Sequence, residues 1–548
     1  PKMVSRWLLL LALLPGVCAW FYGRAEPDAW TQGGVWPLPQ NLQYGRENRS
    51  LSPGRISYTA GTHADCDVIK DNIARYSGKW LLPFPVSPSM ASAAYSVVIR
   101  VTAACPSGVP QQDMDESYLL KVENDKATLE ASQVWGAIRG LETFSQLIYF
   151  DENEKTYKLR TGVIHDFPRF AVRGVMLDSS RHFLSVKMLK RQLDIMSANK
   201  LNYLHWHLVD SESFPFQSTR FPQLSEKGAY SRRHVYSPAD VRDVVQYARM
   251  RGIRVVPEFD TPGHTGAWKG LPGLLPDCFD NSGRPYLKNA LDPTLESTYT
   301  FLRGLFEEIH SAFPDRFVHL GADEVLYTVN NCWKNNPKIA EYMRKHGMGT
   351  STRLLEDYYL ERLQQIIRNI SSSTEMVFWN EVFDNNLAVA DPKAIIHLWE
   401  GDTIIDMHDA IRRITSAGHR VIVSTCWYLN YIKYGADWKS RIDLQPDVKY
   451  RYYYCDPTDF DGTPAQKKLV LGGVAAIWGE FIDNTNLESI FWPRASAVAE
   501  RLWSDAAQTR DADVAWPRLH ELRCRLVARG FRVSPNNFPD FCPYEFDD

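Results

Sequence analysis

The chain has 548 residues and a formal net charge of −3, with 44% hydrophobic and 23% charged residues. Its composition is typical of a folded globular protein, and a chain of this length holds several domains or one large barrel with an extra domain. The small net charge gives no reason to expect nucleic acid as a partner.

The first segment has the features of a secretory signal. Arg6 supplies a positive charge, residues 7–14 form a short apolar run, and residues 17–19 are small or modest in size, as before a cleavage site. Residues 1–19 are therefore predicted to be a signal peptide. No later segment is long and apolar enough to be a membrane helix, so no membrane span is predicted.

Cysteine usage agrees with the secretory pathway. Without Cys18, eight cysteines remain, and an even number in an oxidising compartment predicts disulfide bonds. No Cys-x-x-Cys or other zinc spacing occurs. Sequence alone does not determine the connectivity, and our hypothesis is sequential pairing: Cys66–Cys105, Cys278–Cys332, Cys426–Cys455 and Cys524–Cys542. Asn48 and Asn369 begin glycosylation sequons.

Residues 20–165 are predicted to form an α+β domain. Residues 96–101 and 118–122 have the alternation and β-branched content of strands. Residues 131–150 place apolar side chains near one helical face and predict a helix.

From residue 166 to 548 the pattern changes, and the fold class predicted there is α/β. Short apolar runs alternate with helical or loop segments, which is typical of a parallel (β/α)8 TIM barrel. The C-terminal cysteine pair would close its last segment. The eight candidate strands are residues 174–178, 203–210, 254–260, 317–321, 376–381, 395–399, 420–424 and 473–478.

Barrel enzymes place their active sites at the C-terminal ends of the strands. In this chain those ends carry several acids, one arginine, one histidine and several aromatic residues, which predicts a sugar-binding pocket. They are Asp178, Arg181, Asp210, Asp260, His264, Asp323, Glu324, Trp379, Glu381, Trp399, Trp427, Tyr428, Trp478 and Glu480.

Asp323 and Glu324 are the strongest indication of chemistry. A bare Asp-Glu pair is usually a solvated acid and a helix cap, but a pair that leaves a barrel strand favours catalysis by two carboxyl groups with separate pKa values. Consecutive residues are poorly placed to straddle a glycosidic bond in the usual way. A 2-acetamido group of the substrate can replace the missing nucleophile by attacking the anomeric carbon.

Residues 319–324, HLGADE, resemble the catalytic motif of family 20 β-N-acetylhexosaminidases, in particular the animal lysosomal-type subunits. The resemblance extends over nearly the whole mature chain. It implies a retaining exo-enzyme for terminal GlcNAc and GalNAc, without cofactor or metal, in a homodimer that is lysosomal or secreted. The other matching motifs are residues 177–182, 205–210, 258–265, 379–383, 427–430 and 478–480.

The resemblance also implies roles for individual residues. Glu324 would be the general acid and then the general base, with a pKa raised by burial beside Asp323. Asp323 would stay ionised, orient the acetamido N–H and stabilise the oxazolinium cation. Tyr428 would donate a hydrogen bond to the acetamido oxygen, and His264 would tune the proton affinity of Glu324, with Asp210 as a possible partner.

Substrate binding would fall to a second group of residues. Trp379, Trp399 and Trp478 would enclose the acetamido group and a sugar face, although buried tryptophans are often core residues. Arg181 would bind sugar hydroxyls, assisted by Asp210 and Glu480. Family members that accept anionic substrates carry a basic residue where this chain has Tyr431, next to Asn430, so neutral substrates are predicted.

Two alternatives compete with this interpretation. His205 and His207 point to one face of a strand and could bind a metal, as in amidohydrolase barrels, but further ligands on later strands are not found. The chain could also be a catalytically inactive glycan-binding barrel, which the presence of the acid disfavours.

Overall fold

The computed structural model describes residues 31–61, 63, 65–78, 80–81, 94–151, 153–325, 330–386, 389–432, 435–439, 452–536 and 540–543. The predicted signal peptide lies outside this part of the chain. None of the helices in these ranges combines the length and the apolar character needed to cross a membrane.

The N-terminal part is a mixed sheet with two helices, α1 (Asp67–Tyr76) and α2 (Val134–Gln146). Alternate residues of its strands are buried, so one face of the sheet packs against the helices. The spatial order is β1-β7-β4-β5-β3-β2, with β6 paired to β7. The strands are β1 (Asn41–Leu51), β2 (Ile56–Ala60), β3 (Tyr95–Val101), β4 (Tyr118–Val122), β5 (Lys126–Ala131), β6 (Ile148–Asp151) and β7 (Thr156–Asp166).

The predicted helix over residues 131–150 is too long at both ends. Ala131 is the last residue of β5, and Ile148 begins β6. The Ile148-Tyr149-Phe150 run pairs with β7, because aromatic and β-branched side chains fit a half-buried sheet better than a helix end. The domain boundary at residue 166 stays a prediction.

The C-terminal part is the predicted barrel, and this prediction is confirmed. Its strands are all parallel, and the order β8-β9-β10-β13-β14-β15-β16-β17 closes with β17 against β8. Every candidate strand of the sequence pattern is present. They are β8 (Val172–Asp178), β9 (Tyr203–Val209), β10 (Arg254–Phe259), β13 (Phe317–His319), β14 (Glu375–Trp379), β15 (Ile395–Leu398), β16 (Arg420–Val423) and β17 (Val470–Ile477). A small hairpin, β11 (Cys278–Phe279) with β12 (Pro285–Tyr286), lies outside the barrel.

Helices surround the barrel and bury their apolar faces against the strands. Several begin at good capping residues, such as Ser237 and Thr403, each in a capping box. The helices are α3 (Val186–Ala198), α4 (Gln223–Gly228), α5 (Pro238–Arg249), α6 (Glu296–Ala312), α7 (Pro337–Lys345), α8 (Thr352–Ile370), α9 (Glu381–Asn386), α10 (Ile404–Ser416), α11 (Pro464–Lys468), α12 (Leu487–Phe491), α13 (Arg494–Trp503) and α14 (Ala512–Ala528).

A buried charge cluster joins the N-terminal sheet to the base of the barrel. Glu116 accepts hydrogen bonds from Arg139 at 2.9 Å and from Arg173 of β8 at 2.6 and 2.7 Å. Asn202, which precedes β9, donates a further bond at 2.9 Å. Removing one partner would leave a buried charge uncompensated, so loss of any one of these side chains should destabilise the protein.

Disulfide bonds close four loops within the described residues. They join Cys66–Cys105, Cys278–Cys332, Cys426–Cys455 and Cys524–Cys542, which are the sequential pairs. Asn48 and Asn369 are both exposed, as a glycan acceptor must be, and their modification stays a prediction.

Candidate active site

A cavity of about 210 Å³ opens at the C-terminal end of the barrel. The turns after six of the barrel strands and the last residue of β14 contribute to it, so the closure of the barrel brings its lining residues together. All but one of the residues that were given a catalytic or substrate-binding role line it, whereas the strand-end residues Asp178, Asp260, Glu381 and Trp427 are not among its lining residues. The lining residues are Arg181, His264, Asp323, Glu324, Trp379, Trp399, Tyr428, Asn430, Tyr431, Trp478 and Glu480.

Asp210 is the exception, and its assignment as a substrate-binding residue stays a prediction. Its side chain is buried, and its Oδ2 lies 2.7 Å from Nη2 of Arg181 and its Oδ1 lies 3.1 Å from Nδ1 of His264. Nε2 of His207 lies 2.9 Å from the same Oδ2 atom. Asp210 therefore contacts both Arg181 and His264, the two residues that it was predicted to assist.

The turn after β13 holds the two acids in an unusual backbone conformation. Gly321, Ala322 and Glu324 have φ values of 69°, 68° and 51°. A side chain at Gly321 would meet Oδ1 of Asp260 at 1.8 Å, so only glycine fits there. The same Asp260 oxygen accepts a hydrogen bond from the Ala322 amide at 2.9 Å. Surrounding contacts thus hold a strained turn, as is common at functional sites.

His264 connects Asp210 to the acid pair. Its Nε2 lies 3.6 Å from Oε2 of Glu324 and 3.9 Å from Oδ2 of Asp323. Burial lowers the pKa of His264, but the charges of Asp210 and Asp323 outweigh burial and raise this pKa well above its usual range. These charges therefore favour the protonated form of the His264 imidazole.

The pKa values of the two acids are separated in the opposite sense to our prediction. The contact with His264 lowers the pKa of Glu324, whose side chain is 48% exposed. Burial raises the pKa of Asp323, whose side chain is 13% exposed and lies near Glu258. The predicted burial of Glu324 is not observed, because its side chain lines the cavity and is half exposed.

Aromatic rings form the walls of the cavity. Trp379 lines the cavity and is almost fully buried, and its indole N–H donates to Oε1 of Glu258 at 2.8 Å. The rings of Trp478 and Trp399 lie 6.5 and 6.2 Å from the ring of Tyr428. Burial raises the pKa of Tyr428 well above its usual range, so its hydroxyl stays a hydrogen-bond donor.

Arg181 lies at the mouth of the cavity within a group of carboxylates. Its guanidinium contacts Asp178 at 3.1 Å, Asp210 at 2.7 Å and Glu212 at 3.2 Å, and it lies 5.0 Å from the ring of Trp478. Burial lowers the pKa of Arg181, but the neighbouring carboxylates raise this pKa by more than burial lowers it. The guanidinium therefore stays cationic. A fixed cation of this kind suits charge-assisted hydrogen bonds to sugar hydroxyls.

Glu258 is a buried carboxylate that contacts several residues near the site. It lies within one of the sequence motifs, but no role was predicted for it. Its Oε2 lies 2.7 Å from Nε2 of His205 and 2.6 Å from Nδ1 of His207. The charges of the nearby histidines outweigh burial and lower its pKa well below the usual range. An acid inside an apolar strand, as here in β10, is a signal that sequence reasoning can use.

The histidines of the barrel interior do not suit a metal ion. His205, His319 and His397 bring three ring nitrogens within 4.8 Å of one another. However, the rings of His205 and His319 stack 4.5 Å apart at an interplanar angle of 19°, so their in-plane lone pairs run side by side. His205 and His207 both contact Glu258, which accounts for the pair in this strand without a metal.

A closed (β/α)8 barrel with adjacent acids, a cationic arginine and a wall of tryptophans around one cavity defines a glycoside hydrolase. Residues 170–506 match the family described as "Glycosyl hydrolase family 20, catalytic domain", and residues 35–147 match "beta-acetyl hexosaminidase like". The chain belongs to glycosyl hydrolase family 20, and its activity is that of an exo-β-N-acetylhexosaminidase.

Two hexosaminidases match this chain over at least 90% of their own length. The chain is 52% identical to Beta-hexosaminidase A of Caenorhabditis elegans, covering 99% of this chain and 98% of that protein. It is 42% identical to Beta-hexosaminidase subunit beta of Homo sapiens, covering 93% and 90%. The solved structure of Flavobacterium johnsoniae chitobiase superposes with a TM-score of 0.74 at 28% identity, covering 92% of this chain and 74% of that one.

Proposed function

We propose that the protein removes terminal GlcNAc and GalNAc with retention of configuration, using the acetamido group of the substrate as the nucleophile. The observation that carries this proposal is that Asp323 and Glu324 line one small cavity together with Trp379, Trp399 and Trp478. Tryptophan walls suit a sugar face and a flat amide. The adjacent acids Asp323 and Glu324 can then both contact the same sugar, because they lie in one turn.

In the first step, the Glu324 carboxyl gives its proton to the glycosidic oxygen. The acetamido carbonyl oxygen attacks C1, the C1–O bond breaks, and the alcohol leaves. The acetamido N–H donates to Asp323, whose negative charge stabilises the oxazolinium cation. Tyr428 donates to the acetamido oxygen and orients it. Arg181 and Glu480 bind hydroxyl groups at the mouth of the cavity.

In the second step, the Glu324 carboxylate takes a proton from a water molecule. The resulting oxygen nucleophile attacks C1, and the oxazolinium ring opens to the acetamide. His264 carries a positive charge next to Glu324 and favours its carboxylate form. A sugar that covers Glu324 would remove water from it and so favour the protonated form needed in the first step.

Progressive fluorination of the substrate's acetyl group tests this mechanism. We expect kcat/KM to fall with each fluorine, because fluorine withdraws electron density from the attacking carbonyl oxygen. A nitrophenyl β-glycoside series with zero to three fluorines gives the slope. Equal kcat/KM values across the series would indicate a protein nucleophile and would contradict the proposal. Retention is tested separately: the first product, followed by NMR, should have the β configuration.

We also propose a preference for neutral substrates. Tyr431 lines the cavity and is neutral, and the lining includes the acids Asp323, Glu324 and Glu480. Tyr431→Arg is expected to raise the kcat/KM ratio of a 6-sulfated to a neutral hexosaminide by about fivefold, the effect of a partly exposed ion pair of about 1 kcal/mol. The gain should shrink at high salt.

Ile432→Arg is the matched control, because Ile432 adjoins Tyr431, is 86% exposed and does not line the cavity. If both variants change the ratio equally, the effect is general surface charge and Tyr431 has no special role.

Passage through the secretory pathway, to a lysosome or outside the cell, is supported by the disulfide bonds and exposed sequons. A homodimer stays a prediction from the family resemblance.

A further inference from the structure

Glu381 contacts the catalytic turn and the cavity wall at the same time. It is the first residue of α9 and is largely buried. Its Oε1 accepts a hydrogen bond from the backbone amide of Glu324 at 3.2 Å, and its Oε2 accepts one from the indole N–H of Trp399 at 3.0 Å. One carboxyl group therefore ties the general acid to a wall of the sugar cavity.

The backbone at Glu324 needs such a contact. Its backbone φ of 51° lies in the left-handed region, which residues other than glycine seldom adopt unless surrounding contacts hold them there. On the other side of Asp323, the Ala322 amide is held by Asp260. Asp260 and Glu381 thus hold the turn from opposite sides, and each does so through a main-chain amide next to Asp323.

The protonation state of Glu381 is compatible with its position beside Asp323. Burial, together with the charge of Asp323, raises its pKa to about 8. The other ionisable groups that face it are Glu324, Glu400 and Tyr428. At acidic pH its carboxyl is therefore neutral, and it can adjoin Asp323 without adding repulsion to a site that already holds several acids.

We propose that Glu381 is a positioning residue, whose carboxyl group holds the Glu324 amide and the Trp399 indole in register so that the acid meets the glycosidic oxygen. This inference rests on the proposed function of Glu324. It predicts that substitution of Glu381 slows the step in which Glu324 protonates the glycosidic oxygen. A displacement of a catalytic group by about 1 Å can cost about 10²-fold in rate.

The test compares leaving groups. Glu381→Ala is expected to lower kcat/KM about 10²-fold for chitobiose, whose leaving alcohol needs a proton. The dinitrophenyl β-glycoside of GlcNAc, whose leaving group departs unprotonated, should lose only a few-fold. Equal losses with both substrates, or no loss with either, would overturn the proposal, because a merely structural defect has no reason to depend on the leaving group.

Glu381→Gln keeps the test informative if the alanine variant folds poorly. Its amide carbonyl can accept one of the two hydrogen bonds but not both, so we expect the same leaving-group dependence at smaller size. Glu356→Gln is the matched control: Glu356 is also a buried carboxyl with a pKa raised to about 8 by burial, but it lies in α8 outside the cavity. Its leaving-group dependence should equal that of the wild type.

Glu324→Gln separates failure of this inference from failure of the proposed function. If Glu324→Gln shows strong leaving-group dependence and Glu381→Ala does not, only the role of Glu381 is wrong. If Glu324→Gln shows none, the acid itself is misidentified. In the double variant, Glu381→Ala should add little further loss with chitobiose, since the step that it supports is already absent.

Discussion

Glu324→Gln is expected to lower kcat/KM for chitobiose by about 10²- to 10⁴-fold, the usual contribution of a general acid. Glutamine matches glutamate in size but has no proton to give to the glycosidic oxygen. With a dinitrophenyl leaving group, kcat/KM should change little because no proton is needed. Its kcat should still fall, since the second step lacks the base that activates water. Steady-state kinetics with both substrates measure these effects.

Unchanged turnover of chitobiose by Glu324→Gln would remove this residue from the role of acid. An equal loss with both substrates would indicate a damaged site, which thermal unfolding would reveal. Glu356→Gln, which replaces a buried carboxyl outside the cavity, should keep the kinetics of the wild type.

Asp323→Asn is expected to lower kcat/KM by about 10²- to 10³-fold with chitobiose and with the dinitrophenyl substrate alike, the range for loss of one group that stabilises developing charge. The oxazolinium cation forms whichever alcohol leaves, so this loss should not depend on the leaving group. Asparagine can still accept the acetamido N–H through its carbonyl, and product binding should change little. A harmless result, or a loss confined to chitobiose, would exclude the proposed role.

The pH dependence gives a second readout for Asp323. Its raised pKa means that the carboxylate is progressively protonated, and activity lost, as pH falls through that pKa. With the dinitrophenyl substrate, which does not need the acid, the wild-type kcat/KM should therefore decline at low pH. Asp323→Asn should lack this decline because the residue no longer titrates.

Much of the fold could be predicted from local sequence pattern. Short apolar runs such as residues 203–210 and 473–478 alternate with helical segments, and this alternation admits few architectures other than a parallel barrel. The helix over residues 131–150 was wrong at its ends, because pairing of Ile148 with Leu159 of β7 competes with helix formation. Such non-local pairing leaves little trace in a single segment.

For the site, the sequence alone identified the chemical groups: the adjacent acids Asp323 and Glu324, the tryptophans, and Arg181 with His264, all at strand ends that a barrel must bring to one face. Only the tertiary structure decided how these groups influence one another. It buried Asp210 against Arg181, made Asp323 the acid with the raised pKa, and brought Glu381 to the Glu324 amide. The physical reason is that residue type follows from the sequence, whereas burial and charge–charge distances arise only when remote strands close around one space.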